Sequence, residues 1–207
     1  MMKKKCWIAV GLWLGFVLWT MAVSRLDVAP IGPDGSSVGF ATVNGWFHRL
    51  TGVHMTLYTI TDWLGLVPIA VALGFALLGF CQWIHRRRFC RVDVDIRLLG
   101  GFYIVTALVY LLFEAVAINY RPILIGGVLE ASYPSSTTLL TLCVMLTALR
   151  RWRHRRLIAA LIHLFTAFMV VGRLLSGVHW LSDIIGGCLL GGGLVLLYDV
   201  ACRHFEE

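Results

Sequence analysis

Residues 181–201 have the sequence LSDIIGGCLLGGGLVLLYDVA, and this stretch decides the class of fold. A helix needs about 20 predominantly apolar residues to cross the ~30 Å hydrocarbon core of a bilayer, and the stretch has that length. It therefore predicts a membrane-spanning helix.

Five more apolar runs precede it, at residues 6–23, 63–84, 98–118, 135–149 and 157–171. The fourth and fifth are short for full spans, so we expect their ends to include polar residues that face a cavity. Of the 207 residues, 59% are hydrophobic and 14% are charged, and the mean hydropathy is +0.82. These values exclude a soluble, disordered, collagen-like or disulfide-scaffold protein. They predict one all-α, polytopic membrane bundle of about six transmembrane helices over residues 1–207.

Two segments near the N-terminus leave the topology partly open. The first apolar run ends in Ala22-Val23-Ser24, which resembles the cleavage site of a signal peptide, although its length and its tryptophans favour an uncleaved span. Between the first two runs, residues 43–57 mix apolar and basic side chains. That pattern is typical of an interfacial helix lying on the membrane.

The distribution of Lys and Arg predicts the orientation. Fourteen of the eighteen lie in the N-terminal tail, in alternate loops and near the C-terminus, which we assign to the cytoplasm. The other side has only Arg25, Arg49, Arg121 and Arg173. Both termini are therefore predicted to be cytoplasmic. The net charge of +7 is explained by topology, so we predict no nucleic-acid partner.

The polar residues of interest collect at the predicted outer ends of the last four spans. They are Glu114, Arg121-Pro122, the run from Pro134 to Thr138, Gly172-Arg173, His179 and Asp183. Ionisable groups are costly at membrane depth, so a convergent set of them indicates a functional site. The six cysteines have no CxxC pair or repeated spacing, and we predict no metal or redox role for them.

His179 and Asp183 have the spacing of residues on one helix face. Asp183 can orient one imidazole nitrogen while the other points into a cavity, as for a nucleophilic or basic histidine. Arg121 and Arg173 carry planar donor groups suited to phosphate oxygens. Ser135, at a helix start, can add a hydroxyl and backbone N–H groups. Each feature alone also has a structural interpretation: a hydrogen-bonded His–Asp pair, snorkelling arginines and a helix cap.

In order and spacing, these residues resemble the three-part signature of the type 2 phosphatidic acid phosphatase superfamily, which also contains vanadium haloperoxidases. That signature is Lys, six residues, Arg-Pro; then Pro-Ser-Gly-His; then Ser-Arg, five residues, His, three residues, Asp. The chain has Arg121-Pro122, then Tyr133-Pro134-Ser135, then Arg173, five residues, His179, three residues and Asp183, followed by Gly186-Gly187. The resemblance runs from the third span onward.

The resemblance implies a membrane-embedded enzyme that acts on lipid phosphates, with its catalytic core at residues 98–200 and its site at the outer face of a membrane, which we expect to be a bacterial cytoplasmic membrane. His179 would attack phosphorus to form a phosphohistidine, and Asp183 would orient it. No metal or other cofactor is implied. The residues that would hold the phosphoryl oxygens are Arg121, Arg173, Ser135 and Ser136.

Thr137 stands where the family has its general-acid histidine. A threonine hydroxyl does not ionise usefully near neutral pH, and loss of a general acid typically costs about 10²–10⁴-fold in rate. A leaving group of low pKa, such as the phosphate of a diphosphate, needs less help. The departure therefore favours a lipid diphosphate. The serine before Arg173 is replaced by Gly172, which removes one hydrogen bond.

Glu114 stands at the family's lysine position, seven residues before Arg121. Because it makes the site more negative, it disfavours a dianionic phosphomonoester and tolerates a phosphodiester with a cationic head group. It could also replace the missing histidine as proton donor, if burial raises its pKa. A third interpretation is a buried ion pair between Glu114 and Arg121.

Three functions follow from these alternatives. The leading one is a phosphatase that hydrolyses a lipid phosphate or diphosphate, with His179, Asp183, Glu114 and Thr137 at the reacting centre. The second is a phospholipase C-like head-group transferase, similar to sphingomyelin synthase, in which Glu114 recognises the cation. The third is a member that binds lipid phosphate without turnover.

Overall fold

The computed structural model describes residues 2–152 and 154–205, which form eight α-helices and two short 3₁₀ turns, with no β-strand among them. The predicted all-α class is confirmed. The helices are α1 Met2–Arg25, α2 Ala41–Thr51, α3 Met55–Leu64, α4 Leu66–Arg86, α5 Val94–Ala115, α6 Ser136–Trp152, α7 Arg156–Leu175 and α8 Leu181–His204.

Within the described ranges, five helical segments are long and apolar enough to cross a bilayer. They correspond to α1, to α3 and α4 taken together over Met55–Arg86, and to α5, α7 and α8. Large apolar side chains such as Leu73, Leu108 and Leu164 are exposed on their outer faces. An all-helical chain with this surface is an integral membrane protein.

The helix bounds refine some predicted segments. The fourth, residues 135–149, is α6, and with 17 residues it is short, as predicted. The fifth apolar run, residues 157–171, lies within α7, which has 20 residues and continues past the polar Arg173 to Leu175, so the end of this span includes a buried polar residue, as predicted. The extension is possible because the Arg173 side chain is buried and paired inside the bundle instead of facing lipid.

The single interfacial helix predicted at residues 43–57 is wrong in its bounds. α2 ends at Thr51, and α3 begins at Met55. Gly52 separates them with φ of 70°, a backbone conformation that helices do not contain. Trp46 and Leu50 on α2 are nevertheless exposed, as expected for a helix with one apolar face outward.

α8 is the central helix of the bundle and packs closely on α1 and α6. Its glycines permit this approach, because a Cβ on Gly187 would lie 3.2 Å from the Ser135 carbonyl oxygen, and one on Gly193 would lie 3.1 Å from the Trp13 ring. Small residues at such contacts are usual where membrane helices pack. The close packing fixes the starts of α6 and α8 next to each other.

Charged pairs gather at the end of the bundle away from the start of α8. Lys5, Arg150 and Arg203 all pair with Asp199, and Arg86 pairs with Asp93. Those residues join the start of α1 to the ends of α6 and α8, and the end of α4 to the start of α5. The candidate site residues lie at the opposite end.

Candidate active site

His179 lies in the tight connection between α7 and α8. Gly177 turns the chain there with φ of 71°, and a Cβ at this glycine would lie 2.1 Å from the Gly52 carbonyl oxygen. The connection is held further by the Ser176 carbonyl, which accepts a hydrogen bond from the His54 N–H. The loop therefore packs directly on the junction between α2 and α3. In this position the His179 side chain is buried, with 3% of the residue exposed.

Asp183 lies in the first turn of α8 and is completely buried. Its Oδ2 accepts a hydrogen bond of 2.9 Å from the Trp180 N–H and lies 3.8 Å from His179 Nδ1. The two side chains lie close together as predicted, although His179 precedes α8 and does not share a helix face with Asp183. At 3.8 Å the contact is an ion-pair distance rather than a hydrogen bond, a gap that active sites often close only when substrate binds.

Two asparagines that the sequence analysis missed complete the surroundings of Asp183. Asn119 Nδ2 donates to Asp183 Oδ1 over 3.1 Å, and its Oδ1 accepts from the Gly39 N–H. Asn44 exchanges hydrogen bonds with Ser182, whose hydroxyl is 3.4 Å from Asp183 Oδ1. Both asparagines are 1% exposed. They stand outside any recognisable motif, so only their burial reveals them.

Arg173 lies near the end of α7 with its side chain 4% exposed. Its Nη2 donates to Thr137 Oγ1 over 2.7 Å and to Asp62 Oδ1 over 3.0 Å. The guanidinium also lies over the Tyr58 ring, 5.0 Å from its centroid. Arg173 thus joins α3, α6 and α7, and Asp62 is a further residue that sequence reasoning missed.

Arg121 lies in the loop between α5 and α6, with its side chain 11% exposed. Among the described side chains its ion-pair partner is Glu130, at 2.9 Å from Nε to Oε2. The predicted pair between Arg121 and Glu114 is therefore wrong. The backbone of Arg121 also bonds to Glu130, so the loop folds back on itself and brings Glu130 to the arginine. Glu114 is exposed near the end of α5, where it lines a small cleft with Ser136.

The three predicted hydroxyl residues lie at the start of α6. Ser135 is completely buried. Its N–H donates a hydrogen bond of 3.1 Å to the Asp183 carbonyl oxygen. Its Oγ accepts from the Thr138 N–H over 3.5 Å and so caps the start of the helix. Ser136 and Thr137 are partly exposed. The start of α6 is therefore tied directly to the start of α8, where Asp183 lies.

Several polar groups at this place have no hydrogen-bond partner among the described residues. They are Nη1 of Arg121, Nε and Nη1 of Arg173, and both ring nitrogens of His179. Burial lowers the pKa of His179 to about 4; Asp183 opposes this effect, whereas the positive charges of Arg121 and Arg173 add to it. The two arginines are therefore close enough for their field to act on the imidazole. Buried, charged donors that have no protein partner are suited to accept the oxygens of an anion as partners.

An apolar groove of about 700 Å³ starts at this site and runs between α4, α5 and α6. Asp62, Ser136 and Thr137 line its polar end, and residues such as Leu73, Leu140 and Val144 line the rest. A lipid with an anionic end fits this combination. Among the described residues, no group of three or more His, Cys, Asp or Glu side chains could hold a metal ion.

Residues 101–202 match the family described as the PAP2 superfamily. This region belongs to the PAP2 superfamily. The PAP2 region contains Arg121, Ser135, Arg173, His179 and Asp183, so the resemblance predicted from the motifs is confirmed at the level of the family.

The whole chain is also similar in fold to a solved PAP2 protein. That structure is described as the first transmembrane PAP2-type phosphatidylglycerolphosphate phosphatase from Bacillus subtilis. The TM-score is 0.56, the sequence identity is 18%, and the alignment covers 96% of each chain. At this identity the likeness concerns the fold. None of the curated proteins matches the chain.

Proposed function

We propose that this protein is a membrane phosphatase that hydrolyses a lipid phosphate or lipid diphosphate through a phosphohistidine intermediate. The observation that carries the proposal is the set of buried, unpartnered N–H groups of Arg121 and Arg173 around the equally unpartnered ring of His179. Such donors suit the oxygens of a phosphoryl group, and the imidazole suits attack on its phosphorus.

The mechanism follows from the positions of these side chains. His179 Nε2 attacks phosphorus while Asp183 holds Nδ1 and stabilises the imidazolium that forms. Arg121, Arg173 and the start of α6 at Ser135 and Ser136 bind the phosphoryl oxygens. Water then attacks the phosphohistidine and releases phosphate, which restores the neutral imidazole.

The apolar groove supports a lipid as substrate. Its polar end at Thr137 adjoins the arginine that binds phosphate, so a lipid whose phosphate reaches Arg173 can place its hydrocarbon between α4, α5 and α6. A lipid diphosphate remains favoured on chemical grounds, because Thr137 cannot act as a histidinium would. Membrane lipids are then both the surroundings and the source of the substrate.

The position of Glu114 keeps head-group transfer as a second candidate. This carboxylate is exposed beside Ser136 rather than paired with Arg121, so a cationic head group could reach it. Under that function, Glu114→Lys abolishes head-group release, whereas under the phosphatase function it strengthens phosphomonoester hydrolysis. A non-catalytic lipid-phosphate binder gives saturable binding without product.

The orientation follows from the charges. Basic side chains gather at the end of the bundle that holds the start of α1 and the end of α8, whereas His179 is at the other end. Positive loops remain in the cytoplasm. We therefore place both termini in the cytoplasm and the site at the outer face of a membrane, with the bacterial cytoplasmic membrane as the preferred location.

Product analysis tests the proposal. Purified protein in detergent is incubated with phosphatidic acid, a polyprenyl diphosphate, phosphatidylcholine and phosphatidylethanolamine. Release of inorganic phosphate supports the phosphatase, and release of phosphocholine or phosphoethanolamine supports the transferase. Binding without any product supports the third function and contradicts the first two.

Asn119→Ala is expected to lower kcat by about 10- to 100-fold with little change in KM. Asn119 is a positioning residue: it holds Asp183 Oδ1 and so aims Oδ2 at His179, and a hydrogen bond to a charged group is worth about 1.5–3 kcal/mol. Steady-state kinetics on the lipid that releases phosphate measure both constants.

Asn44→Ala is the matched control. Asn44 is the same residue type with the same burial, but it bonds to Gly39 and Ser182 rather than to Asp183. Thermal unfolding should be affected comparably in both variants, whereas kcat should fall mainly in Asn119→Ala. Equal losses of kcat in the two variants would show that Asn119 has only a structural role.

The imidazole of His179 is expected to stay neutral, and hence nucleophilic, well below the usual histidine range. Burial lowers its pKa to about 4, so protonation should occur near pH 4 rather than near pH 6.5. Below about pH 6.5 the unfolded imidazole binds a proton that the folded one does not. Folding is therefore disfavoured progressively as the pH falls through this window.

Nitrogen NMR of histidine-labelled protein measures this titration without any substrate. His179→Ala assigns the signal by its disappearance. A signal that changes near pH 4 agrees with the expectation, and one that titrates near pH 6.5 contradicts it.

A further inference from the structure

We propose that Asp62 is the proton donor to the leaving group, in the role that Thr137 cannot fill. The inference rests on the proposed phosphatase function and deepens it. It identifies a catalytic residue on α3, outside the part of the chain that matches the family. It also removes the chemical preference for diphosphates, because lipid phosphomonoesters, whose alcohol leaving groups need a proton, then have a donor.

The position of Asp62 carries the argument. A single nitrogen, Arg173 Nη2, donates both to Asp62 Oδ1 and to Thr137 Oγ1, so the carboxylate and the hydroxyl lie side by side. Thr137 stands at the position where the family resemblance places the general-acid histidine. Asp62 therefore brings an ionisable group to the place from which the histidine is missing.

Asp62 can also reach a substrate. Its side chain is 56% exposed, whereas that of Arg173, its partner, is 4% exposed. Asp62 lines the polar end of the apolar groove together with Ser136 and Thr137. It is the one carboxylate among the described residues that line this groove, and Glu114 lines a separate, smaller cleft.

The arrangement gives the two arginines of the site different neighbours. Arg121 pairs with Glu130, which does not line the groove, and Arg173 pairs with Asp62, which does. A phosphate that accepts from the free Nε and Nη1 of Arg173 therefore lies beside Asp62, which is held by Nη2 of the same guanidinium.

The proton balance is complete. In the first step the bond from His179 Nε2 to phosphorus forms, the bond from phosphorus to the lipid oxygen breaks, and that oxygen takes the proton of the Asp62 carboxyl group. In the second step water attacks phosphorus, the electron pair returns to His179, and the Asp62 carboxylate takes the proton of the water. Phosphate leaves, and both side chains regain their initial states.

The test compares leaving groups. Rates of the wild type and of Asp62→Asn are measured with phosphatidic acid, whose leaving group is an alcohol, and with p-nitrophenyl phosphate, whose leaving group needs no proton. We expect a loss of about 10²–10⁴-fold with phosphatidic acid, as for removal of a general acid, and a much smaller loss with the nitrophenyl ester. Equal losses with both substrates would overturn the proposal, because they indicate only a disturbed Arg173.

Glu130→Gln is the matched control. It neutralises the carboxylate that pairs with the other arginine, so the ratio of the two rates should stay as in the wild type. Retained nitrophenyl phosphate hydrolysis shows that Asp62→Asn is folded. A second variant, Asp62→Asn with Thr137→His, restores the family's donor and should recover phosphatidic acid hydrolysis. Failure of this double variant to exceed Asp62→Asn also contradicts the proposal.

The same experiment distinguishes failure of the phosphatase function from failure of the role assigned to Asp62. If the wild type releases no phosphate from either substrate, or if His179→Ala is as active as the wild type, the phosphatase function itself fails. If His179→Ala is inactive but Asp62→Asn shows no dependence on the leaving group, only the assignment of Asp62 fails.

Discussion

His179→Ala is expected to abolish phosphate release, with a fall in kcat of roughly 10⁴-fold or more, as is found when a nucleophile is removed from an enzyme. The imidazole is the group that would bond to phosphorus, and the other nucleophilic side chain beside Asp183, the Ser182 hydroxyl, is held by Asn44. The measurement is single-turnover release of phosphate from the lipid that the wild type hydrolyses, together with detection of a phosphorylated histidine in the wild type.

The fold should survive this substitution. Neither ring nitrogen of His179 has a hydrogen-bond partner among the described residues, and Asp183 keeps its bonds to Trp180 and Asn119. His85→Ala, at an exposed histidine near the charged end of α4, is the matched control and should retain full activity. Activity in His179→Ala equal to that of the wild type would rule out the phosphohistidine mechanism.

Arg121→Ala is expected to lower kcat/KM by about 10²–10⁴-fold. Its guanidinium can offer two hydrogen bonds to the phosphoryl group, each worth about 1.5–3 kcal/mol because the donor is charged. Loss of both removes roughly 3–6 kcal/mol of transition-state stabilisation. Inhibition by inorganic phosphate should weaken in parallel, because the product binds to the same donors.

Arg121 is the better of the two arginines for this test. Arg173 also connects Asp62, Thr137 and Tyr58, so its removal disturbs the packing of three helices. Removal of Arg121 leaves Glu130, which is 39% exposed and can be hydrated. Arg25→Ala, at an exposed arginine on the predicted outer side, should leave kcat/KM unchanged. An equal effect of both substitutions would indicate long-range charge rather than contact with phosphate.

Much of the site was predictable because it is encoded locally. Asp183 lies in the first turn of α8 and His179 in the connection just before it, so their short separation in the sequence keeps them close in any fold that retains this helix start. The starts and ends of successive spans alternate between the two membrane faces. The polar ends of the last four spans were therefore expected to meet on one side, and Arg173 and Thr137 are in contact there.

Pairings between distant segments were not predictable in the same way. Glu114 and Arg121 are separated by two helical turns in the sequence, which favours an ion pair only if one helix continues through both. α5 ends at Ala115, and the loop then turns back and brings Glu130 to Arg121 instead. The end of a single helix thus decided which carboxylate neutralises the arginine.

The sequence by itself determined that this protein spans a membrane, where its long apolar helices lie, and which residues of the family motif it retains. These properties depend on apolar runs of bilayer length and on short fixed spacings. Only the tertiary structure decided that Asp62, 111 residues before Arg173, shares its guanidinium with Thr137, and that Asn119 holds Asp183. Such contacts depend on how packed helices are rotated against one another, and rotation is set by the close packing of α8 with α1 and α6 rather than by any local pattern of residues.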